Sequence, residues 1–418
     1  VFANTVLIDL GTACSLSTTR DRKTVAYRIK DEGLSFLTIT LANFGHDFDR
    51  CLDQGYVDPT LFAGFSRKGG LPRFLGGFLG RVFDICSGLL LDEPSIDSIW
   101  AIRQFTLMWS KMDLPCTQKR VDKALNGYIL CENDIGEFDL SFKASFSDEF
   151  ERMSNLLWRD FFLALDSDVY YEKILPKHSS GSTADQILAN RKYDQINWTS
   201  RLERVFPALE YLFPNYHFVE HYDSYTNIIE PGSELPVKVI TVPKTLKTPR
   251  IIAMEPVYMQ YIQQGILEAM IHGMRRNDNA SNLVLFDSQE HNQALAKIGS
   301  KEGSLATLDL SEASDRVSNQ HVLTMLNRYP SLLEAVAACR STRANVPGHG
   351  IIPLSKFASM GSALCFPFES LVFATIVFLG IQDVLNRPLT QRDISSLYGK
   401  VRIYGDDIII PVDTVQSV

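Results

Sequence analysis

The stretch Val401-Arg402-Ile403-Tyr404-Gly405-Asp406-Asp407-Ile408-Ile409-Ile410 decides the fold. Two β-branched runs flank a tight Gly-Asp-Asp turn, which is the pattern of a β-hairpin. The turn carries two adjacent carboxylates at its tip. Adjacent carboxylates repel, and the arrangement is costly unless a cation lies between them and a substrate. A hard divalent ion with oxygen ligands, Mg²⁺ above all, is the natural partner. Gly-Asp is also ordinary turn chemistry, so an acidic, solvent-facing turn is the plain alternative at this point.

Outward from the hairpin, three upstream segments complement it. Ser304-Leu305-Ala306-Thr307-Leu308-Asp309 reads as a buried strand ending in an acid. An acid there is badly placed for stability and well placed for a site, so Asp309 is a candidate third carboxylate. Leu310-Ser311-Glu312-Ala313-Ser314-Asp315 then turns into a helix predicted to run to about residue 329. Ser355-Lys356-Phe357-Ala358-Ser359-Met360-Gly361-Ser362 precedes a long apolar helix predicted over about 364–382. A small-residue loop of this kind lets backbone approach a substrate closely. Val242-Pro243-Lys244-Thr245-Leu246-Lys247-Thr248-Pro249-Arg250 spaces three cations three residues apart with no acid among them. Prolines stiffen it in an extended form. Such a row suits a triphosphate or an RNA backbone, and a solvated charged loop is the alternative.

The chain has 418 residues, 45% of them hydrophobic and 22% charged, which is ordinary globular composition. Its net charge of -8 excludes a protein coated in basic charge, but not one with a basic groove. The seven cysteines (14, 51, 86, 116, 131, 339 and 365) contain no C-x-x-C pair and read as reduced thiols in a cytosolic protein. The apolar run 370–381 is about a dozen residues against the roughly 20 a membrane span needs, the run 74–91 is longer but carries Arg81 and Asp84, and both read as buried core. The chain lacks an initiator Met and stops just past the hairpin, so both ends read as the edges of a fragment.

Elsewhere, 33–41 alternates apolar and hydroxyl residues and is predicted as a strand. The Gly-, Arg- and Phe-rich segment 66–81 is predicted as a flexible connector, with contact to a nucleic-acid backbone or bases as the second reading. Helices with aromatic stripes facing a core are predicted over 95–111 and 147–165, and a mobile loop over 175–185. His217-Phe218-Val219-Glu220-His221 matches the H-x-x-E-H metalloprotease signature. Its aromatic and β-branched neighbours favour a strand, on which residues four apart lie roughly 13 Å from each other. One zinc ion, with bonds of about 2 Å, does not bridge that, and the protease reading is set aside.

Basic segment, strand with aspartate, small-residue loop with helix, and Gly-Asp-Asp hairpin occur in this order. Together they resemble an RNA-directed RNA polymerase, and most closely the replicase catalytic subunit of levivirus-type single-stranded RNA bacteriophages. The matching words are Val242-Pro243-Lys244 with Lys247-Thr248 and Arg250 leading to Glu255-Pro256; Asp309-Leu310-Ser311 with Ala313-Ser314-Asp315; Ser359-Met360-Gly361 with Phe366, Glu369 and Ser370; and Tyr404-Gly405-Asp406-Asp407. Where better-known members carry Asn, this chain has Ser362.

The resemblance implies an α+β, right-hand polymerase fold with an antiparallel palm sheet. It places an N-terminal region and fingers at 1–236, fingers with the basic segment at 237–300, and a palm core at 301–418, with the thumb largely missing. It implies that Asp309, Asp406 and Asp407 hold two Mg²⁺ ions, with Mn²⁺ as a substitute, and transfer NMP from NTP to an RNA 3′-hydroxyl. Lys244, Lys247 and Arg250 would line the NTP channel. Asp315, with Ser362, would read the ribose 2′-hydroxyl, and Ser359 and Gly361 would support the template–substrate pair. The implied partners are RNA template and product, NTPs, host elongation factors Tu and Ts and a small-subunit ribosomal protein, in the cytoplasm of a bacterial host and without a membrane. A reverse-transcriptase-like palm enzyme and a non-catalytic RNA-binding palm remnant are the alternatives.

Overall fold

Phe150, Met153, Leu157, Trp158, Phe161, Phe162 and Leu165 recur at steps of three and four, and the structure winds them into one buried stripe of the helix Ser147–Tyr170. Asp148 and Glu149 occupy its first turn, where negative charge favours a helix N-terminus. This computed structural model describes residues 1–213, 226–286 and 288–418. The motif His217–His221 lies outside the described residues. The chain divides into two compact units, 1–124 with 241–250, and 125–240 with 251–418. Helices and small sheets coexist, as the α+β expectation requires.

In the second unit Ser147–Tyr170 is the central helix. The helices Val257–Arg276, Asn319–Leu326, Pro330–Cys339 and Cys365–Leu385 pack against it. Trp158 is fully buried there and its indole N–H donates to Thr375 Oγ1 at 3.0 Å. Cys365–Leu385 is longer than the apolar run alone and is long and apolar enough to cross a membrane, yet most of it is buried inside the protein. It is a core helix, whose polar Glu369, Ser370, Thr375 and Gln382 are buried with it.

Besides the parallel pair Asn197–Thr199 and Asn227–Ile229, two sheets are built mainly from residues of this unit. One has the strand order Arg250–Met254, Val237–Val242, Arg343–Val346, Gly350–Pro353. The other has the order Arg402–Tyr404, Asp407–Pro411, Leu305–Asp309 and is antiparallel throughout. Ile408, Ile409 and Ile410 are all buried in its middle strand. Leu305–Asp309 pairs on one side only and is half-buried to exposed, not the buried strand expected. The helix predicted directly after it is broken: Glu312 takes φ +58°, a 3-10 turn covers Ala313–Arg316, and the helix starts at Asn319. Loop 175–185 is irregular as predicted but held rather than mobile. Ser179 Oγ donates to Gln260 Oε1 at 2.9 Å, Lys192 Nζ donates to the Ser179 carbonyl at 2.7 Å, and Asp185 Oδ2 accepts from the Val257 amide at 2.9 Å.

The first unit packs helices Phe2–Ala13, Thr19–Glu32, Leu41–Gln54 and Ile96–Leu107 around an aromatic core. Ile96–Leu107 confirms the predicted helix, with Ser95 Oγ capping the Ser98 amide. The strand predicted over 33–41 is instead a π-helical turn, Phe36–Thr40, running into Leu41–Gln54. Phe36, Leu37 and Thr38 are buried in succession, which a one-faced strand does not allow. The hydroxyls fit the helix by bonding backwards, Thr38 Oγ1 to the Leu34 carbonyl at 3.1 Å and Thr40 Oγ1 to Glu32 Oε2 at 3.2 Å. Segment 66–81 is also not a flexible connector. Arg67–Lys68 and Leu71–Pro72 form a small hairpin, Phe74 and Phe78 are buried in the core, and Arg67 is spent on the carbonyls of Asp58, Leu61 and Gly70. Those rings are not available for stacking on bases.

Candidate active site

Tyr404 pairs with Asp407, so the hairpin closes through a two-residue turn, Gly405-Asp406. Gly405 takes φ +61°, the conformation that primed hairpin turns require at their first position. Its amide donates to Ser370 Oγ at 3.0 Å. A Cβ at Gly405 would lie 2.4 Å from the Phe366 ring, which in turn meets Tyr404 edge-on at 5.1 Å. The apolar helix Cys365–Leu385 thus fixes the turn from below.

Asp407 stands directly opposite Asp309 on the neighbouring antiparallel strand. Directly opposed residues share one face of a sheet, with Cβ atoms about 5 Å apart. Asp406 follows in the turn, and all three aspartates are exposed. The Asp407 carboxyl is held above the usual carboxylate range, first by partial burial and then by Asp406 and Asp309. Its described partners are weak neutral donors, Gln289 Nε2 to Oδ2 at 3.4 Å and Asn292 Nδ2 to its carbonyl at 3.3 Å. Among the described residues no Lys, Arg or His forms an ion pair with any of the three. Behind them Glu369 is buried, its carboxyl pushed up to about 8 by burial, Asp406 and Asp315.

The donor set is three hard carboxylates at one sheet end, which suits Mg²⁺. Among the described residues no group of three acids, imidazoles or thiols is drawn close enough together to hold a metal ion. An open site fits an ion that keeps several waters and takes substrate phosphates as ligands.

Asp315 lies in the turn Ala313–Arg316, its side chain about one quarter exposed (26%). Lys356 Nζ donates to Asp315 Oδ1 at 2.9 Å, pairs with Glu132 Oε1 at 3.0 Å, and stands 3.6 Å from the centre of the Tyr128 ring. Lys356 is fully buried (0% exposed). Glu132 Oε2 accepts the Ser355 amide at 2.6 Å and the Lys356 amide at 3.2 Å. Burial and Glu312 push the Asp315 carboxyl up, and burial pulls the Lys356 amine down.

The predicted loop residues are committed within the protein. Ser359 is buried and shares a 2.9 Å hydrogen bond with the Tyr128 hydroxyl. Ser362 Oγ lies 3.1 Å from Gln263 Oε1, to which it donates, and accepts the Leu364 amide at 3.3 Å. Gly361 takes φ +132°, and a Cβ there would lie 1.9 Å from the Ala253 carbonyl. This glycine lets the loop cross the chain's own strand, where the Ala253 amide donates to the Met360 carbonyl at 2.8 Å. Lys244, Lys247 and Arg250 are exposed in the first unit. Their segment bends at residues 244, 246 and 247 rather than running straight, and Arg120 Nη1 holds the Leu246 carbonyl at 2.7 Å.

Tyr128, Glu132 and Lys356 were not singled out from sequence. A buried lysine inside a stretch chosen for its small residues was the one available signal.

A three-stranded antiparallel sheet thus carries three aspartates at one end. The family profile described as RNA replicase, beta-chain, matches residues 205–418, just over half of the chain, and the protein belongs to that family. It is 37% identical over 180 residues to the RNA-directed RNA polymerase subunit beta of Qbeta virus (strain MX1), covering 43% of this chain and 28% of that protein. It is 34% identical over 197 residues to the subunit of the same name from Escherichia virus Qbeta, covering 47% and 30%. To the RNA-directed RNA polymerase beta chain of Escherichia phage MS2 it is 36% identical over 202 residues, covering 48% and 33%. The chain thus spans about a third of the length of the curated relatives it matches.

Proposed function

We propose that the protein carries the nucleotidyl-transfer centre of an RNA-directed RNA polymerase that copies a phage RNA genome. The observation that supports this best is the register Asp407 opposite Asp309, with Asp406 in the adjoining turn, inside the stretch shared with the replicase family. In this reading the antiparallel sheet is the palm of a right-hand polymerase.

Asp309, Asp406 and Asp407 would hold two Mg²⁺ ions, which lower the pKa of the RNA 3′-hydroxyl and neutralise charge on the triphosphate when bound. The protein's own part is placement. The hairpin, locked by Ser370 and Phe366, holds two carboxylates fixed relative to the third, so little reorganisation is left for the reaction itself. Asp315 accepts a hydrogen bond from the ribose 2′-hydroxyl, the group that distinguishes RNA precursors from DNA precursors. Lys244, Lys247 and Arg250 bind triphosphate oxygens, Arg250 through its planar fork. Sequence is read by template pairing. Family resemblance extends the proposal to elongation factors Tu and Ts and a ribosomal protein as partners in the bacterial cytoplasm.

The test is incorporation of labelled nucleotides by the full-length protein on an RNA template with Mg²⁺. Template-directed NMP incorporation, with dNTPs strongly disfavoured, is expected. Equal use of dNTPs would point to a reverse-transcriptase-like enzyme. RNA binding without any templated incorporation would leave only a binding role.

A further inference from the structure

A fully buried lysine is costly unless its charge is compensated at close range. Lys356 is compensated by Asp315 Oδ1 at 2.9 Å, by Glu132 at 3.0 Å and by the face of the Tyr128 ring at 3.6 Å. These partners come from different parts of the second unit. Tyr128 and Glu132 lie on the helix Gln118–Ser145, Asp315 in the turn after the aspartate strand, and Lys356 at the head of the small-residue loop. Glu132 also holds the loop's own amides at Ser355 and Lys356, and the Cys131 thiol donates to the Asp315 carbonyl at 3.1 Å. The turn bearing Asp315 is therefore gripped through both backbone and side chain.

The grip is one-sided. Lys356 reaches Asp315 at Oδ1 from the interior, while the Asp315 side chain keeps about a quarter of its surface exposed. A carboxylate that must accept a hydrogen bond in one direction needs its rotamer fixed and its negative charge maintained. Lys356 Nζ, donating to the inner oxygen, supplies the first.

We infer that Lys356 is a positioning residue for sugar selection, holding Asp315 in the orientation that receives the ribose 2′-hydroxyl. The inference rests on the proposed reading of Asp315. It adds a residue that contacts no substrate and acts only through Asp315. Without Lys356, Asp315 would turn freely, which weakens its preference for a 2′-hydroxyl. Templating and the metal-holding aspartates would be untouched.

The test is single-nucleotide incorporation by the full-length enzyme on an RNA template, read as the ratio of kcat/KM for an NTP to that for its dNTP. Asp315→Asn, Lys356→Met, Asp315→Asn with Lys356→Met added, and the double variant Lys356→Met/Glu132→Gln are compared with the wild type. The double variant removes the lysine together with one of its two acids. It carries the test if Lys356→Met does not fold, because exchanging a buried pair for neutral groups is tolerated better than removing one partner. Asp315→Asn is expected to lower the ratio by about tenfold or more, the worth of a hydrogen bond to a charged group. Both Lys356 variants are expected to lower it as far, and Lys356→Met added to Asp315→Asn is expected to lower it no further. If Asp315→Asn lowers the ratio while folded Lys356 variants keep the wild-type value, Lys356 is structural only and the inference is wrong. If Asp315→Asn keeps the wild-type ratio, the reading of Asp315 itself fails and the inference falls with it.

Discussion

The second unit holds two acidic clusters built on opposite electrostatic terms. At the hairpin tip, Asp309, Asp406 and Asp407 are exposed, and burial together with Asp406 and Asp309 raises the proton affinity of Asp407, with no cation paired to the three among the described residues. Around Lys356, two acids and an aromatic face are folded about one buried ammonium and make close contacts with it. The first arrangement is unfavourable by itself, and the second satisfies itself internally. Charge left uncompensated at a rigid, solvent-facing turn is what a site for an incoming cation requires. Charge compensated inside is architecture, which serves function only through what it orients.

The largest expected effect breaks the first cluster. Asp407→Asn should lower templated nucleotide incorporation about a thousandfold, the several kcal/mol that a metal-held oxygen contributes to charge stabilisation. Because it also relieves repulsion, the variant's unfolding midpoint should equal or exceed that of the wild type. Steady-state incorporation and thermal unfolding together check both halves, and a variant that loses activity only by unfolding would erase the distinction between the clusters.

His321 sharpens the comparison from a third side, as a buried base that avoids charge altogether. It is enclosed by the rings of Phe138, Phe142 and Phe150, and burial lowers its pKa to about 4. An unfolded histidine titrates near 6.5, so between about pH 6.5 and 4 the unfolded chain binds the extra proton. Stability should therefore fall as pH drops through that window, by up to about 3 kcal/mol from this residue. Denaturant midpoints for His321→Phe should fall less steeply there than those of the wild type, and identical slopes would remove His321 from the account.

Gly405→Ala is the smaller structural test. A side chain there meets φ +61° and the Phe366 ring, and overpacking with backbone strain should cost about 2 kcal/mol. Unfolding in urea would measure it.

The hairpin was legible because turn chemistry is local: Gly405 supplies the positive φ and the isoleucines supply both strands. Asp309 was legible as the end of a strand, although not the half-exposed edge position of that strand. The signals that misled were also local. Hydroxyl alternation over 33–41 looked like a strand, but Thr38 bonds back to the Leu34 carbonyl and Thr40 to the Glu32 side chain at the end of the preceding helix. The Gly- and Arg-rich composition of 66–81 looked like a connector, whereas the run 74–91 was legible as core and does bury Phe74 and Phe78. The Lys356 cluster was illegible for a different reason. Its partners Glu132 and Asp315 lie 224 and 41 residues away in sequence, and only folding brings them together. Gly361 was read as making room for a substrate, but it makes room for the chain's own Ala253 carbonyl.

The central proposal is that Asp309, Asp406 and Asp407 bind a divalent cation. Mn²⁺ binding to the full-length protein, followed by electron paramagnetic resonance, tests it most directly. The wild type should take up Mn²⁺ that Asp309→Asn/Asp407→Asn does not, with both proteins equally folded. Equal uptake by the two would contradict the claim and return the hairpin to an ordinary acidic turn.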